Sequence, residues 1–144
     1  SFIRYTIFYK NLIYIYMIKD ILIISIILFS IDCIYLYSVG DYFNNQIKLI
    51  QGSNLKMRYL GGIICYPSLI LGLYYFIIRN RKKYKNNMDM IKDAAILGWV
   101  IYMVYESTNY AIIKDWKIQT LIIDGLWGGI LLGLTTYLYL WVSN

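Results

Sequence analysis

Four long apolar runs alternate with polar segments along the 144 residues of the chain. They cover residues 21–40, 59–78, 94–113 and 120–142. Each is close to the ~20 residues that a helix needs to cross ~30 Å of hydrocarbon. Because a chain of this length has too few polar residues to shield four such helices from water, the pattern predicts an all-α integral membrane bundle of about four transmembrane helices.

Two connections between these runs carry structural information. Residues 41–58 alternate apolar with polar side chains and end in Gly52-Ser53-Asn54, which predicts a short interfacial helix between the first and second spans. The connection at Asp115-Trp116-Lys117 is much shorter. Such a tight turn makes the last two spans antiparallel neighbours.

Residues 1–16 are apolar as well, but Arg4, Lys10 and Asn11 interrupt them. Three hypotheses fit this N-terminal tail: an interfacial helix, a targeting segment, or translated sequence upstream of a start at Met17. The third is favoured, since Met17-Ile18-Lys19-Asp20 directly precedes the first span. The predicted transmembrane domain is therefore 17–144.

The composition supports a membrane location, with 60% hydrophobic and 15% charged residues, whereas soluble domains are roughly 45–50% apolar. Basic residues are concentrated on one side of the alternating topology, which holds nine of the 14: Arg4, Lys10, Lys19, Arg79, Arg81, Lys82, Lys83, Lys85 and Lys92. The positive-inside rule then predicts that both termini face the cytoplasm. The net charge of +6 is expected to meet a lipid bilayer rather than nucleic acid.

The chain contains no histidine, and its two cysteines, Cys33 and Cys65, each lie within an apolar run. The lack of imidazole excludes His-ligated haem, the usual zinc hydrolase sites and His-based acid–base catalysis. The cysteine positions are not typical of a disulfide framework. We therefore expect no metal and no cofactor.

Three acidic residues lie inside the spans: Asp32, Glu106 and Asp124. Charged groups are costly there and usually face the bundle interior at functional sites. The ~1.5 Å helical rise places all three in the outer half of the membrane. Neighbours at helical spacing complete a candidate ligand-binding site, whose members are Asp32, Tyr35, Tyr105, Glu106, Asn109, Asp124 and Trp127.

Three hypotheses describe what these acids do. No basic residue lies within the spans, so at least some of the acids are expected to be protonated and could bind or pass a small ligand or proton. Alternatively, they only hold the helices together in a structural or assembly protein, where Gly125, Gly129 and Gly133 form a close-packing seam within the bundle or with a homo-oligomer or other membrane protein. A lipid-modifying enzyme is the third hypothesis. It lacks an obvious nucleophile, and its catalytic residues are unknown.

The acids also lie in three short motifs, in the order Ile31-Asp32-Cys33-Ile34-Tyr35, Tyr105-Glu106-Ser107-Thr108-Asn109 and Asp124-Gly125-Leu126-Trp127-Gly128. With these motifs the chain resembles, from about Met17 onward, a family of predicted small multi-pass membrane proteins from bacteria and large DNA viruses, named domain of unknown function two-one-seven-seven. Trp116 also fits that family. The chain departs from its pattern in Glu106, where Asp is usual, and in Tyr35, where Trp is frequent. The resemblance implies a membrane bundle and leaves the activity open.

Overall fold

The computed structural model describes residues 2–143, with side chains from Thr6 onward. Four α-helices form the chain: α1 is Phe2–Gln51, α2 is Tyr59–Phe76, α3 is Asn87–Ile112 and α4 is Ile118–Ser143. A 3₁₀ helix at Ile78–Lys83 follows α2 and carries much of the basic loop. The all-α prediction is confirmed. We call the end of the bundle at the 3₁₀ helix the basic end, and the end at the α3–α4 connection the turn end.

Helix α1 is one continuous element, so the prediction of a separate short helix after the first span is wrong. The polar residues that suggested a new helix instead make contacts from within α1. Gln46 is fully buried, and its Oε1 accepts a hydrogen bond from the Thr120 hydroxyl. The helix ends only at Gly52, whose φ of 76° and backbone bond to the Lys48 carbonyl fit a glycine C-cap.

The N-terminal tail is also part of α1 over residues 2–16, and the helix continues through Met17 without a break. Ser1 lies outside the described residues. Helical structure is compatible with each hypothesis for the tail, so the division of the chain at Met17 stays a prediction.

Helices α3 and α4 form the most extensive pairing in the bundle, as the short connection predicts. Glycines allow their backbones to approach closely: a Cβ added to Gly98 would overlap the carbonyl of Gly128. The predicted seam also faces α3, since a Cβ at Gly129 or Gly133 would lie 3.2 Å and 3.1 Å from atoms of Ala95. The seam therefore packs the bundle internally.

Large apolar side chains cover much of the outside of the bundle, while a smaller set forms the core between the four helices. Three described helical segments are long and apolar enough to cross a membrane: Thr6–Gln51, Tyr59–Lys83 and Ile118–Ser143. The buried apolar core consists of Ile24, Leu28, Leu69, Leu73, Ile77, Ile78, Met90, Ala94, Leu131, Leu132, Tyr139 and Leu140. An apolar exterior is what contact with lipid requires.

Helix α3, the predicted third span, is not among these three segments. Its polar stretch at 106–109, together with Lys92 and Asp93, makes it less apolar than α4. Its bounds nevertheless enclose nearly all of the predicted run 94–113. Polar residues that face a neighbouring helix lower the hydropathy of a segment without exposing charge to lipid.

Candidate functional site

Asp32 joins three helices. It lies in α1 and is 6% exposed. Its Oδ2 accepts a hydrogen bond from the Tyr66 hydroxyl of α2 at 2.6 Å, and its Oδ1 accepts one from the Trp127 indole N–H of α4 at 2.9 Å. Both carboxylate oxygens are thus satisfied by neutral donors from other elements, as a buried carboxylate requires.

Asp124 receives its donor from α1. The Tyr35 hydroxyl donates to Asp124 Oδ1 at 3.0 Å. The Tyr35 ring stacks on the Trp127 ring, with centroids 4.1 Å apart and planes 8° from parallel. Because Trp127 donates to Asp32 while Tyr35 donates to Asp124, the stacked rings connect the two carboxyl groups.

Glu106 is the most deeply buried of the three acids, with 1% of its surface exposed. Its Oε2 accepts a hydrogen bond from the Trp116 indole N–H at 2.8 Å, which fixes the α3–α4 turn against the site. Its carboxyl group also lies near that of Asp124, and the two groups interact electrostatically. Two neighbouring carboxyl groups repel each other when both are ionised.

We refer to these three acids, together with Tyr35, Tyr66, Trp116 and Trp127, as the acidic cluster. Within the described part of the chain, none of its carboxyl groups forms an ion pair with Lys or Arg. The described residues also contain no group of three acidic, Cys or His side chains close enough to hold a metal ion. The polar contacts of the cluster are therefore hydrogen bonds from neutral hydroxyl and indole donors to carboxyl oxygens.

The structure brings five of the seven predicted site residues together: Asp32, Tyr35, Glu106, Asp124 and Trp127. Tyr105 is not among them. It directly precedes Glu106 in α3, but its side chain is 59% exposed on the outside of the helix. Asn109 is half-buried, and its Nδ2 atom is buried without a hydrogen-bond partner.

Two members of the cluster were not among the predicted site residues. Tyr66 directly precedes Pro67, which lies at the same level as the acids, but with 17 tyrosines in the chain no pattern distinguishes it. The sequence indicates Trp116 only through its match to the family. Its position in the tight turn that follows the helix of Glu106 is the other signal for a contact between them.

A second polar cluster, which the sequence did not predict, lies at the basic end. The Tyr139 hydroxyl donates to Asp20 Oδ1 at 2.8 Å and accepts from the Arg81 guanidinium at 2.5 Å. Arg81 also lies 3.8 Å from Asp20, forming an ion pair. These three residues, the Arg81 cluster, connect α1 and α4 to the 3₁₀ helix.

No curated protein and no solved structure matches the chain. Residues 8–141 match the model of the family described as Predicted membrane protein (DUF2177), the same family that the three motifs resemble. Because the match covers most of the chain, this protein belongs to the DUF2177 family of predicted membrane proteins.

Proposed function

We propose that this multi-pass membrane protein binds or passes a proton at the acidic cluster. The observation that supports the proposal is the proximity of the carboxyl groups of Glu106 and Asp124, neither of which is paired with a basic residue among the described residues. Neighbouring carboxyl groups favour a state in which one of them holds a proton, because two adjacent negative charges repel each other. Asp32 adds a third carboxyl group, linked through the Tyr35–Trp127 stack.

The proposal includes a topology in which all four helices cross the membrane and both termini face the cytoplasm. The close antiparallel packing of α3 against α4 supports a third crossing, since a helix of 26 residues is long enough to span. Cysteines introduced at Ser53 and Lys83 should then react with a membrane-impermeant thiol reagent from opposite sides of the membrane. Labelling of both from one side contradicts this topology.

The proton site is tested by infrared difference spectroscopy of the protein in vesicles. A protonated carboxyl group gives a C=O stretch that shifts on exchange into deuterated water. We expect this band in the native protein and its loss in Glu106→Gln and in Asp124→Asn. The matched control is Asp20→Asn, which removes a carboxylate of the Arg81 cluster and should leave the band unchanged.

Passage of the proton is measured in the same vesicles with an enclosed pH-sensitive dye and an imposed pH gradient. The native protein and Asp20→Asn should dissipate the gradient faster than empty vesicles, whereas Glu106→Gln and Asp124→Asn should not. A band without flux indicates a bound proton and no passage. If the native protein shows neither, the proposal is wrong.

A structural role is the second candidate, and one observation favours it. Both oxygens of Asp32 accept hydrogen bonds from other helices, so this residue is well placed to hold α1, α2 and α4 together. Asparagine keeps one acceptor oxygen and the shape of the side chain. Preserved folding and function in Asp32→Asn would favour this role, while lost function in a folded variant favours ionisable chemistry. A lipid-modifying enzyme stays a hypothesis.

A further inference from the structure

An apolar groove runs along the outside of the α3–α4 pair, well separated in its lining from the acidic cluster. Its volume is about 660 Å³. Small residues form its floor, and larger ones, including Trp99, Ile130 and Tyr137, line its length. No member of the acidic cluster lines it, so an inference about the groove does not depend on the proton site.

The groove has the length of a lipid chain in one leaflet. On α4 its lining extends from Leu126 to Tyr137, a separation of roughly 16 Å at ~1.5 Å per residue. Half of a ~30 Å hydrocarbon core is about the same length. The lining is almost wholly apolar, as an acyl chain requires.

An exposed cation lies next to the groove, in the part nearer the basic end. Lys92 is exposed and lies on the same stripe of α3 as the lining residues Met88, Ala95 and Trp99. Among the described residues it has no ion-pair partner. Lys92 lies about 8 Å from the start of α3, and Tyr137 about 9 Å from the end of α4, so both are at the same level near the basic end.

The acidic residues near Lys92 are engaged elsewhere. Asp89 Oδ2 accepts a hydrogen bond from Asn86 Nδ2, and the Asp89 backbone N–H donates one to Asn86 Oδ1. Asp93 lies near Tyr84, and the two side chains interact. Neither acid forms an ion pair with Lys92 among the described residues, so its ammonium group is open to an external anion. The exposed cations of the 3₁₀ helix add positive charge at the same end.

We propose that the groove binds one acyl chain of an anionic phospholipid, with the phosphate held by Lys92 at the basic end. Lysine side chains extend along apolar surface and bring their ammonium group to the headgroup layer, which suits this position. A second copy of the chain fits less well. The glycines that would bring another helix close are already packed against Ala95 of α3.

Native mass spectrometry of the full chain tests the proposal. The protein is purified in detergent, incubated with equal amounts of phosphatidylglycerol and phosphatidylcholine, and the retained lipid is counted. We expect one phosphatidylglycerol per monomer. Lys92→Gln should lower the preference for phosphatidylglycerol about fivefold, because one lysine contributes about that much to binding an anionic lipid surface.

A filled groove provides the second variant. Ile130→Phe adds bulk to the groove at a side chain that is 53% exposed, and it should abolish lipid retention without separating α3 from α4. Ile64→Phe is the matched control, since it makes the same change at a 61% exposed position on α2 and should retain the lipid. Circular dichroism verifies that both variants keep the native helix content.

Three results would overturn the proposal. The first is equal retention of both lipids by the native protein. The second is an unchanged preference in folded Lys92→Gln, which would assign the headgroup to the cations of the 3₁₀ helix alone. The third is a dimer that Ile130→Phe converts to a monomer, since the groove would then be covered by a second copy.

Discussion

The acidic cluster and the Arg81 cluster solve the same problem, a buried carboxyl group inside an apolar bundle, in two different ways. At the basic end, Asp20 has a guanidinium 3.8 Å away and a tyrosine hydroxyl that bonds to both. Toward the turn end, three carboxyl groups accept hydrogen bonds from tyrosine hydroxyls and tryptophan indoles and have no cation paired with them among the described residues. The first arrangement neutralises charge with a cation, and the second surrounds its carboxyl groups with neutral donors.

This difference follows from where each cluster lies. Asp20 and Arg81 retain 15% and 39% side-chain exposure, so water helps to solvate their charges. Glu106 has 1% exposure and no cation, and a lone ionised carboxylate is far more costly in such surroundings than a protonated one. Substitutions that affect only one cluster can therefore separate an electrostatic anchor from a proton site.

The largest effect is expected from Gly128→Ala. The added Cβ would overlap the Gly98 carbonyl and the Tyr102 ring, so α3 and α4 must separate. We expect a loss of at least about 2 kcal/mol in the free energy of unfolding, as overpacked cores show. Unfolding in a denaturing detergent titration measures it. The acidic cluster should lose its carboxyl infrared band, because Glu106 is on α3 and Asp124 is on α4.

Gly72→Ala is the control for this prediction. Nothing lies within 4 Å of a Cβ added there, so the substitution should be neutral or stabilising by up to about 1 kcal/mol. The Arg81 cluster involves α1, the 3₁₀ helix and α4, none of which is α3. If Gly128→Ala abolished the Asp20–Arg81 coupling together with the carboxyl band, the two clusters would not be independent.

The next effect is the difference between Asp32→Ala and Asp20→Ala. Removing the Asp32 carboxylate leaves the Tyr66 hydroxyl and the Trp127 indole without their acceptor, which should cost about 1 to 3 kcal/mol. Asp20 belongs to a partly exposed pair, for which we expect less than about 1 kcal/mol. The same detergent titration compares the two variants. Equal losses would contradict the contrast in burial.

The sequence predicted the bounds of some helices better than those of others. The fourth run, 120–142, agrees closely with α4 at Ile118–Ser143, because the apolar run and the helix nearly coincide there. The first run, 21–40, covers less than half of α1. Hydropathy detects a crossing, whereas a backbone helix continues wherever polar side chains such as Gln46 find partners across the bundle.

For the site, helical spacing identified the acids and Trp127 because charged residues inside an apolar run are rare and conspicuous. The same spacing pointed to Tyr35, which does contact the acids, but it did not separate the other tyrosines. Tyr105 is adjacent to Glu106 but faces outward, while Tyr66 comes from a helix without any charged residue. The Arg81 cluster was missed because Asp20 and Tyr139 are 119 residues apart and neither lies in a motif.

A smaller effect is expected from Tyr139→Phe. The fully buried hydroxyl accepts from Arg81 and donates to Asp20, and its removal should cost about 1 kcal/mol of unfolding free energy. The ion pair remains, so the variant should fold and keep the infrared band of the acidic cluster. Tyr84→Phe, at a less buried tyrosine of the same end, is the control. Loss of the band in Tyr139→Phe would show that the clusters are coupled through α4.

The smallest effect distinguishes the clusters by ionic strength. A double-mutant cycle of Asp20→Asn and Arg81→Gln measures the coupling energy between Asp20 and Arg81. This coupling energy should weaken by less than about 0.5 kcal/mol when the salt concentration rises from about 0.05 M to about 0.5 M. The coupling between Asp32 and Trp127, from Asp32→Asn and Trp127→Phe, should not change, because salt does not enter the bundle. A salt-dependent Asp32–Trp127 coupling would mean that water and ions reach the acidic cluster, and its carboxyl groups would then be solvated as Asp20 is.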